Sequence, residues 1–262
     1  MVDFLDVLAR DAQRNVRSGY YEYFIERPTC RCCSLKESIS KCEHAPIIAE
    51  IKPSSPSHGN LREIDSLGSV VGAMERGGAI GISILTEPKH FGGSMERLRE
   101  ARGYTSLPVL MKDVIVDSIQ IEAAHRSGAD ALLLISSIFE RGYANSPLED
   151  MIELAHSKGM EVLIEVHTRD EFLSAIETEA DLVGINNRDL RTLKVDLRTT
   201  ERILSSIDLD RLGKVIVSES GIRGPRDIRF LHSCGAKAFL VGSALMLAEN
   251  IGEKVKELVS AL

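Results

Sequence analysis

No surplus of positive charge marks this 262-residue sequence. It holds 32 Lys and Arg against 39 Asp and Glu, a formal net charge of −7. A general nucleic-acid binder carries the opposite balance, so no nucleic-acid partner is expected and only a local cationic pocket is left open. No apolar run approaches the roughly 18 residues that cross a bilayer, so no membrane partner is expected either. The opening MVDFLDVLARDAQRNV alternates charge with apolar residues and lacks the uninterrupted core of a signal peptide. The expectation is a cytoplasmic protein with reduced thiols. No linker, low-complexity tract or compositional break appears, so one domain over residues 1–262 is expected.

Cysteine is scarce too, and poorly spaced for a metal. Four of the five, Cys30, Cys32, Cys33 and Cys42, lie with His44 in one short stretch. Clustered Cys and His suggest zinc, but C-x-C-C followed by C-x-H lacks the C-x2-C spacing of structural sites. No stoichiometric metal is expected there. Cys234 reads as a buried helix residue.

What the chain does have is a repeat. Eight apolar, β-branched runs recur: IIAEIK (47–52), GISILT (81–86), PVLMKD (108–113), ALLLISS (131–137), EVLIEV (161–166), LVGINN (182–187), VIVSES (215–220) and AFLVGS (238–243). Their nearly continuous apolar character suits parallel strands covered on both faces. Between them lie segments of helical spacing, such as 118–130, 146–160 and 197–207. Several end in Gly just before the next run, as in RSGAD, SKGM and SCGAK. Eight β–α repeats predict an α/β fold, a (β/α)8 TIM barrel over 46–262. A doubly wound open sheet is the alternative, weakened because no G-x-G-x-x-G follows the first strand. Phe4, Leu5, Val7 and Leu8 suggest an amphipathic helix in an N-terminal helical extension, residues 1–45, that caps an open barrel end.

Active sites of such barrels form at the C-terminal strand ends. Polar residues gather there: Glu50 and Lys52, Lys112, Glu165, Asn186, Glu219 and Ser220, Gly242 and Ser243. Residues two apart share a strand face, so Ile48, Leu110, Leu163 and Val217 should point into the interior beneath the charged rim. One Glu or Lys at a strand end is usually a solvated loop residue. Five strands ending alike favour a catalytic rim, because interior charge is costly unless paired or used. After the last two strands, SESGIRGPRD and LVGSALM place Gly221, Gly242 and Ser243 where backbone N–H groups could hold an anion. The glycines could also serve tight turns alone. A phosphorylated small-molecule substrate is expected.

Together AEIKPSSPSHG, ILTEPKHFGGS, PVLMKDVIVD, ADALLLI, LIEVHT, GINNRDL, VSESGI and FLVGSALM resemble the indole-3-glycerol-phosphate synthase family over about residues 45–250. The resemblance implies a barrel whose N-terminal extension covers the active-site face. It implies a carboxy-lyase of tryptophan biosynthesis that uses no metal or organic cofactor. Its reaction closes 1-(2-carboxyphenylamino)-1-deoxyribulose 5-phosphate to indole-3-glycerol phosphate with loss of CO2 and water. By resemblance Lys112 is the general acid, Lys52 the partner of the substrate carboxylate and Glu165 the base of dehydration. Glu50 holds the lysines, while Asn186 and Glu219 hydrogen-bond substrate hydroxyls or intermediates. Ser55, Arg188 and Ser220 help to bind substrate, Phe91 and Leu133 wall the aryl ring, and Gly221, Gly242 and Ser243 bind phosphate. The chain departs from the family pattern at Val114, where an aromatic is expected, and at Pro53 and Ser54. A Schiff-base aldolase using Lys112 and a non-catalytic phosphosugar-binding barrel stay open as alternatives. The oligomeric state is open, with a monomer favoured.

Overall fold

The computed structural model describes residues 3–22, 33–56, 59–205, 207–208 and 213–262. Among them, eight parallel strands pair in chain order: β1 (Ile47–Ile51), β2 (Gly81–Leu85), β3 (Val109–Lys112), β4 (Ala131–Ile135), β5 (Glu161–Val166), β6 (Leu182–Asn186), β7 (Val215–Glu219) and β8 (Ala238–Val241). β1 pairs with β2 on one side and with β8 on the other, so the sheet is closed rather than open. The strands form where the runs are apolar because both faces are covered. One face meets the surrounding helices and the other fills the interior. The glycines expected to end helices, Gly128, Gly159 and Gly235, each take a positive φ one residue past the end cap. Cys234 differs from expectation. It is the half-buried end cap of helix Pro225–Ser233 rather than a buried helix residue.

The strand register sorts the interior into layers of four, drawn alternately from even and odd strands. Ile48, Leu110, Leu163 and Val217 form one odd-strand layer, the inward row the sequence predicts. Each of them pairs with one residue below and one above. The layer below is Gly81, Ala131, Leu182 and Ala238, and the layer above is Ser83, Leu133, Gly184 and Leu240. The next odd-strand layer is Glu50, Lys112, Glu165 and Glu219. Within one step of two residues the interior changes from wholly apolar to wholly ionisable.

The N-terminal extension clasps the barrel at both ends. Helix Phe4–Arg17 starts at an Asp3–Asp6 capping box and buries Leu5, Leu8, Ala9 and Ala12 at the C-terminal strand ends. Asp11, on the buried face of that helix, lies 2.8 Å from Lys89 Nζ and 2.8 Å from His90 Nε2, both in the segment after β2. A second helix, Leu35–Ser40, sits at the opposite end. Glu161 at the start of β5 accepts from its Leu35 and Lys36 N–H groups at 2.8 and 3.0 Å. Leu35 Cδ1 fills the space over Gly81, where a Cβ would lie 2.8 Å from it. Nearby, Asp130 Oδ2 accepts from Arg102 Nη1 at 2.6 Å and Val109 N at 2.9 Å, and its Oδ1 accepts from Cys33 N at 3.0 Å. The apolar spacing of the sequence marks a helix at one end only, and the helix at the other end is an addition. The cysteine expectation falls partly outside the described residues, which omit Cys30 and Cys32. Cys33 and Cys42 donate through sulfur to the carbonyls of Ser106 and His44.

Asp113, next to Lys112, ties the extension to the rim. Its Oδ2 accepts from Tyr21 OH at 3.0 Å and Thr86 Oγ1 at 2.5 Å, and its Oδ1 accepts from Val114 N at 2.7 Å. Burial pushes this carboxyl up to about 6, and the three donors only partly offset it. Between pH 4 and 6 the folded chain therefore holds a proton that the unfolded chain has lost. Stability contributed by that proton is present below pH 4 and falls as pH rises through 6. Asp113→Asn should flatten this part of the pH profile by up to about 1.4 kcal/mol per pH unit. Urea unfolding at pH 4.5, 5.25 and 6 measures it, and an unchanged slope would refute the assignment.

Candidate active site

Lys112 occupies the middle of the ionisable layer. Its ammonium bonds to Glu219 Oε2, and Glu50 Oε2 and Glu165 Oε2 lie 3.6 and 3.7 Å away. Lys52, just past the end of β1, reaches back to Glu50 Oε1 at 2.9 Å. Asn186 Nδ2 donates to Glu165 Oε1 at 2.9 Å, and Asn186 Oδ1 accepts from Arg188 N at 2.9 Å. Charges packed this deeply are costly unless paired, and here each cation faces at least one carboxylate.

Space for these side chains comes from the neighbouring strands. A Cβ on Gly184 would lie 2.1 Å from Glu219 Oε1, and one on Gly242 would lie 2.3 Å from Glu50 Oε1. Glycine at these two sites lets a carboxylate lean across the adjacent strand. The pKa values follow. Burial alone would lower that of the Lys112 ammonium, but Glu219, Glu50 and Glu165 outweigh it and hold it well above the ordinary value. Burial pushes Glu219 up to about 7 despite Lys112. Glu50 lies below its ordinary value, because Lys52 and Lys112 overcome its burial. Burial lowers Arg188, and Glu50 opposes that effect.

Above the layer opens a cavity of about 280 Å³. Lys52, Ser55, Lys112, Glu50, Glu165, Asn186, Arg188, Phe91, Leu133, Ser220, Gly221, Gly242 and Ser243 line it. Of the site residues named from the sequence, Glu219 alone is not on the wall. It is 0% exposed and sits behind Lys112. In this arrangement it meets Lys112 rather than the cavity. Ser55 Oγ is buried with no partner among the described residues, which leaves its donor and acceptor open to a ligand. Val114 is 3% exposed and belongs to the cavity wall, where it offers less bulk than an aromatic.

One side of the cavity is apolar, with Leu8, Phe91, Val114, Leu133 and Ile135. The other is backbone-rich. β7 is followed by Ser220 (φ 66°) and Gly221 (φ 84°), two successive left-handed residues. A positive φ at serine is uncommon and costs about 1–3 kcal/mol, so the surroundings must hold it. Leu8, Ile135, Val195 and Arg223 line the cavity but escaped the sequence reading. Arg223 stands two residues beyond Gly221 in SGIRG, and Leu8 belongs to the helix expected to cap the barrel. That Leu8 itself enters the cavity follows from packing between distant segments, which no local pattern encodes.

Comparison with known proteins agrees with this geometry. The family model described as "Indole-3-glycerol phosphate synthase" matches residues 9–258. The chain is 41% identical over 254 residues to the indole-3-glycerol phosphate synthase of Methanocaldococcus jannaschii, covering 95% of this chain and 92% of that one. It is 43% identical over 217 residues to that of Methanopyrus kandleri, covering 82% and 83%. Among solved structures, thiamine phosphate pyrophosphorylase from Pyrococcus furiosus superposes with a TM-score of 0.61 at 19% identity, covering 87% of this chain and 97% of that one. That likeness speaks for the barrel alone. With matching motifs, an ionisable strand-end layer and relatives similar along most of their length, the chain belongs to the indole-3-glycerol phosphate synthase family.

Proposed function

We propose that the cavity binds 1-(2-carboxyphenylamino)-1-deoxyribulose 5-phosphate and closes it to indole-3-glycerol phosphate, with loss of CO2 and water. The observation that carries this reading is a lysine held among three carboxylates at the floor of a half-apolar cavity. The aryl ring lies against Phe91, Leu133 and Val114, and the phosphate lies at Ser220, Gly221, Gly242 and Ser243. Ring closure joins the aryl carbon to the ketose carbonyl carbon. Lys112 faces the carbonyl oxygen, stabilises its developing charge and delivers a proton. Glu219, whose carboxyl is pushed up by burial and which bonds to Lys112, is the neighbour that can return that proton. Lys52 pairs with the substrate carboxylate until it leaves as CO2. Glu165, oriented by Asn186, takes the proton lost in dehydration. Ser55 and Arg188 complete the polar wall.

The Schiff-base alternative needs a neutral Lys112 amine, and the three carboxylates oppose it. The proposal keeps a monomer and one domain over 1–262, the latter supported by the contacts of helices Phe4–Arg17 and Leu35–Ser40 at the two barrel ends. No helix among the described residues is long and apolar enough to cross a membrane. The proposal sets the enzyme in the cytoplasm. Ultraviolet absorbance should show indole formation from the ketose phosphate without added metal. Absence of product, or a lysine adduct trapped by borohydride, would overturn the reading.

A further inference from the structure

Behind the phosphate side of the cavity lies a buried polar knot that the reaction itself does not use. Asn187 follows Asn186 at the end of β6 but is 0% exposed and absent from the cavity wall. Its Nδ2 donates to Ser218 Oγ at 3.0 Å, Glu219 O at 3.0 Å and Ser220 O at 3.2 Å. Its Oδ1 accepts from Thr200 N at 3.2 Å and Thr200 Oγ1 at 2.9 Å. Thr200 Oγ1 lies 3.0 Å from Ser218 Oγ and closes the ring. Asn187 N donates to Glu219 O, and Asn187 O accepts from Asp196 N, both at 2.9 Å. The neighbours of Asp196 press on the turn from the other side. A Cβ on Gly221 would lie 2.6 Å from Val195 Cγ1 and 3.0 Å from Leu197 Cδ2.

We infer that Asn187 is a positioning residue that holds Ser220 and Gly221 in the left-handed turn that receives the substrate phosphate, an inference that rests on the phosphate site proposed above. The logic is steric and electrostatic. Serine disfavours φ 66°, so the turn needs an external hold. An amide bonded to the last three residues before Gly221 is such a hold, and buried networks of this kind fix one geometry. Glu219 O and Ser220 O can only accept, so a carboxylate in place of the amide would repel both.

Inorganic phosphate is the probe, by calorimetric titration of the full chain, beside steady-state kinetics. Asn187→Ala and Asn187→Asp should each weaken phosphate binding and raise KM by about 10-fold or more, while kcat changes less than about threefold. Ser220→Gly placed in the Asn187→Ala background should restore most of the lost affinity, since glycine takes a positive φ freely. A merely structural role would not give that rescue. Thr200→Val keeps all Asn187 donors and should show a smaller change in the same direction; it serves if the Asn187 variants do not fold. Unchanged phosphate affinity in a folded Asn187 variant, or an affinity loss that Ser220→Gly leaves uncorrected, overturns the inference. Failure of the unmodified chain to bind phosphate would instead remove the proposed phosphate site, and this inference with it.

Discussion

Lys112→Ala is expected to lower turnover by at least about 10²-fold, because a positioned acid contributes about 10²–10⁴-fold and stabilisation of the oxyanion adds to it. Phosphate-anchored binding should change far less, since its contacts lie after β7 and β8 on the other side of the cavity. Lys52→Ala should differ by weakening binding as well, because it removes the partner of the substrate carboxylate. Turnover and KM of both variants with the carboxyphenylamino ketose phosphate measure this, and near-normal turnover of Lys112→Ala would refute the assigned acid. Removing Lys112 also leaves Glu50, Glu165 and Glu219 facing one another with only Lys52 beside them. Their pKa values must rise, so this variant should lose stability as pH increases from 5 to 8. Unfolding measured at the assay pH separates that effect from lost chemistry.

The second large effect lies at the opposite end of the barrel. Asp130→Ala should cost about 3–5 kcal/mol, the usual penalty for breaking a buried ion pair. It leaves the buried Arg102 charge with backbone carbonyls but no carboxylate, and leaves the Val109 and Cys33 N–H groups without their acceptor. At about 2–4 °C per kcal/mol for a chain near this size, the melting temperature should fall by roughly 6–20 °C. Catalysis at low temperature should stay close to normal, because the site sits at the other strand ends. Replacing both partners, Arg102→Met with Asp130→Leu, should be milder than Asp130→Ala alone, since no buried charge then lacks a partner. Thermal unfolding of the three variants decides it, and a drop below about 2 °C for Asp130→Ala would show that the pair holds nothing.

Much of the barrel could be read from the sequence because its strands carry their own signal. Runs such as ALLLI and EVLIEV are apolar on both faces, and period two sets which side chains turn inward. That parity sets Ile48, Leu110, Leu163 and Val217 in one layer and Glu50, Lys112, Glu165 and Glu219 together above them. Glu219 shows the limit, because its turn behind Lys112 and away from the cavity depends on Gly184 of the neighbouring strand, and the register between strands is not written in either one. Asn187 shows it again. Beside Asn186 it looks like one more rim amide, yet its partners Thr200 and Ser218 lie 13 and 31 residues away. The Leu35 plug and Leu8 were hidden for the same reason, since each takes its place by packing against distant segments. The high Asp113 carboxyl arises from burial, which a sequence of alternating charge and apolar residues does not reveal.

The alternation of layers also divides labour among the strands. Odd strands alone supply the ionisable ring, while Leu85, Leu133 and Ile135 on even strands supply much of the apolar wall. The charged ring and much of the apolar wall thus come from alternate β–α units, with Asn186 of even β6 orienting Glu165 and Val114 after odd β3 joining the wall. Variation at Leu85, Leu133 and Ile135 can reshape the space for the ring while Asn186, Gly184 and Gly242 on other even strands keep the charged residues in place. A barrel wired this way is easy to retune: a combinatorial library at positions 85, 133 and 135 searches new ring shapes without touching a charged group.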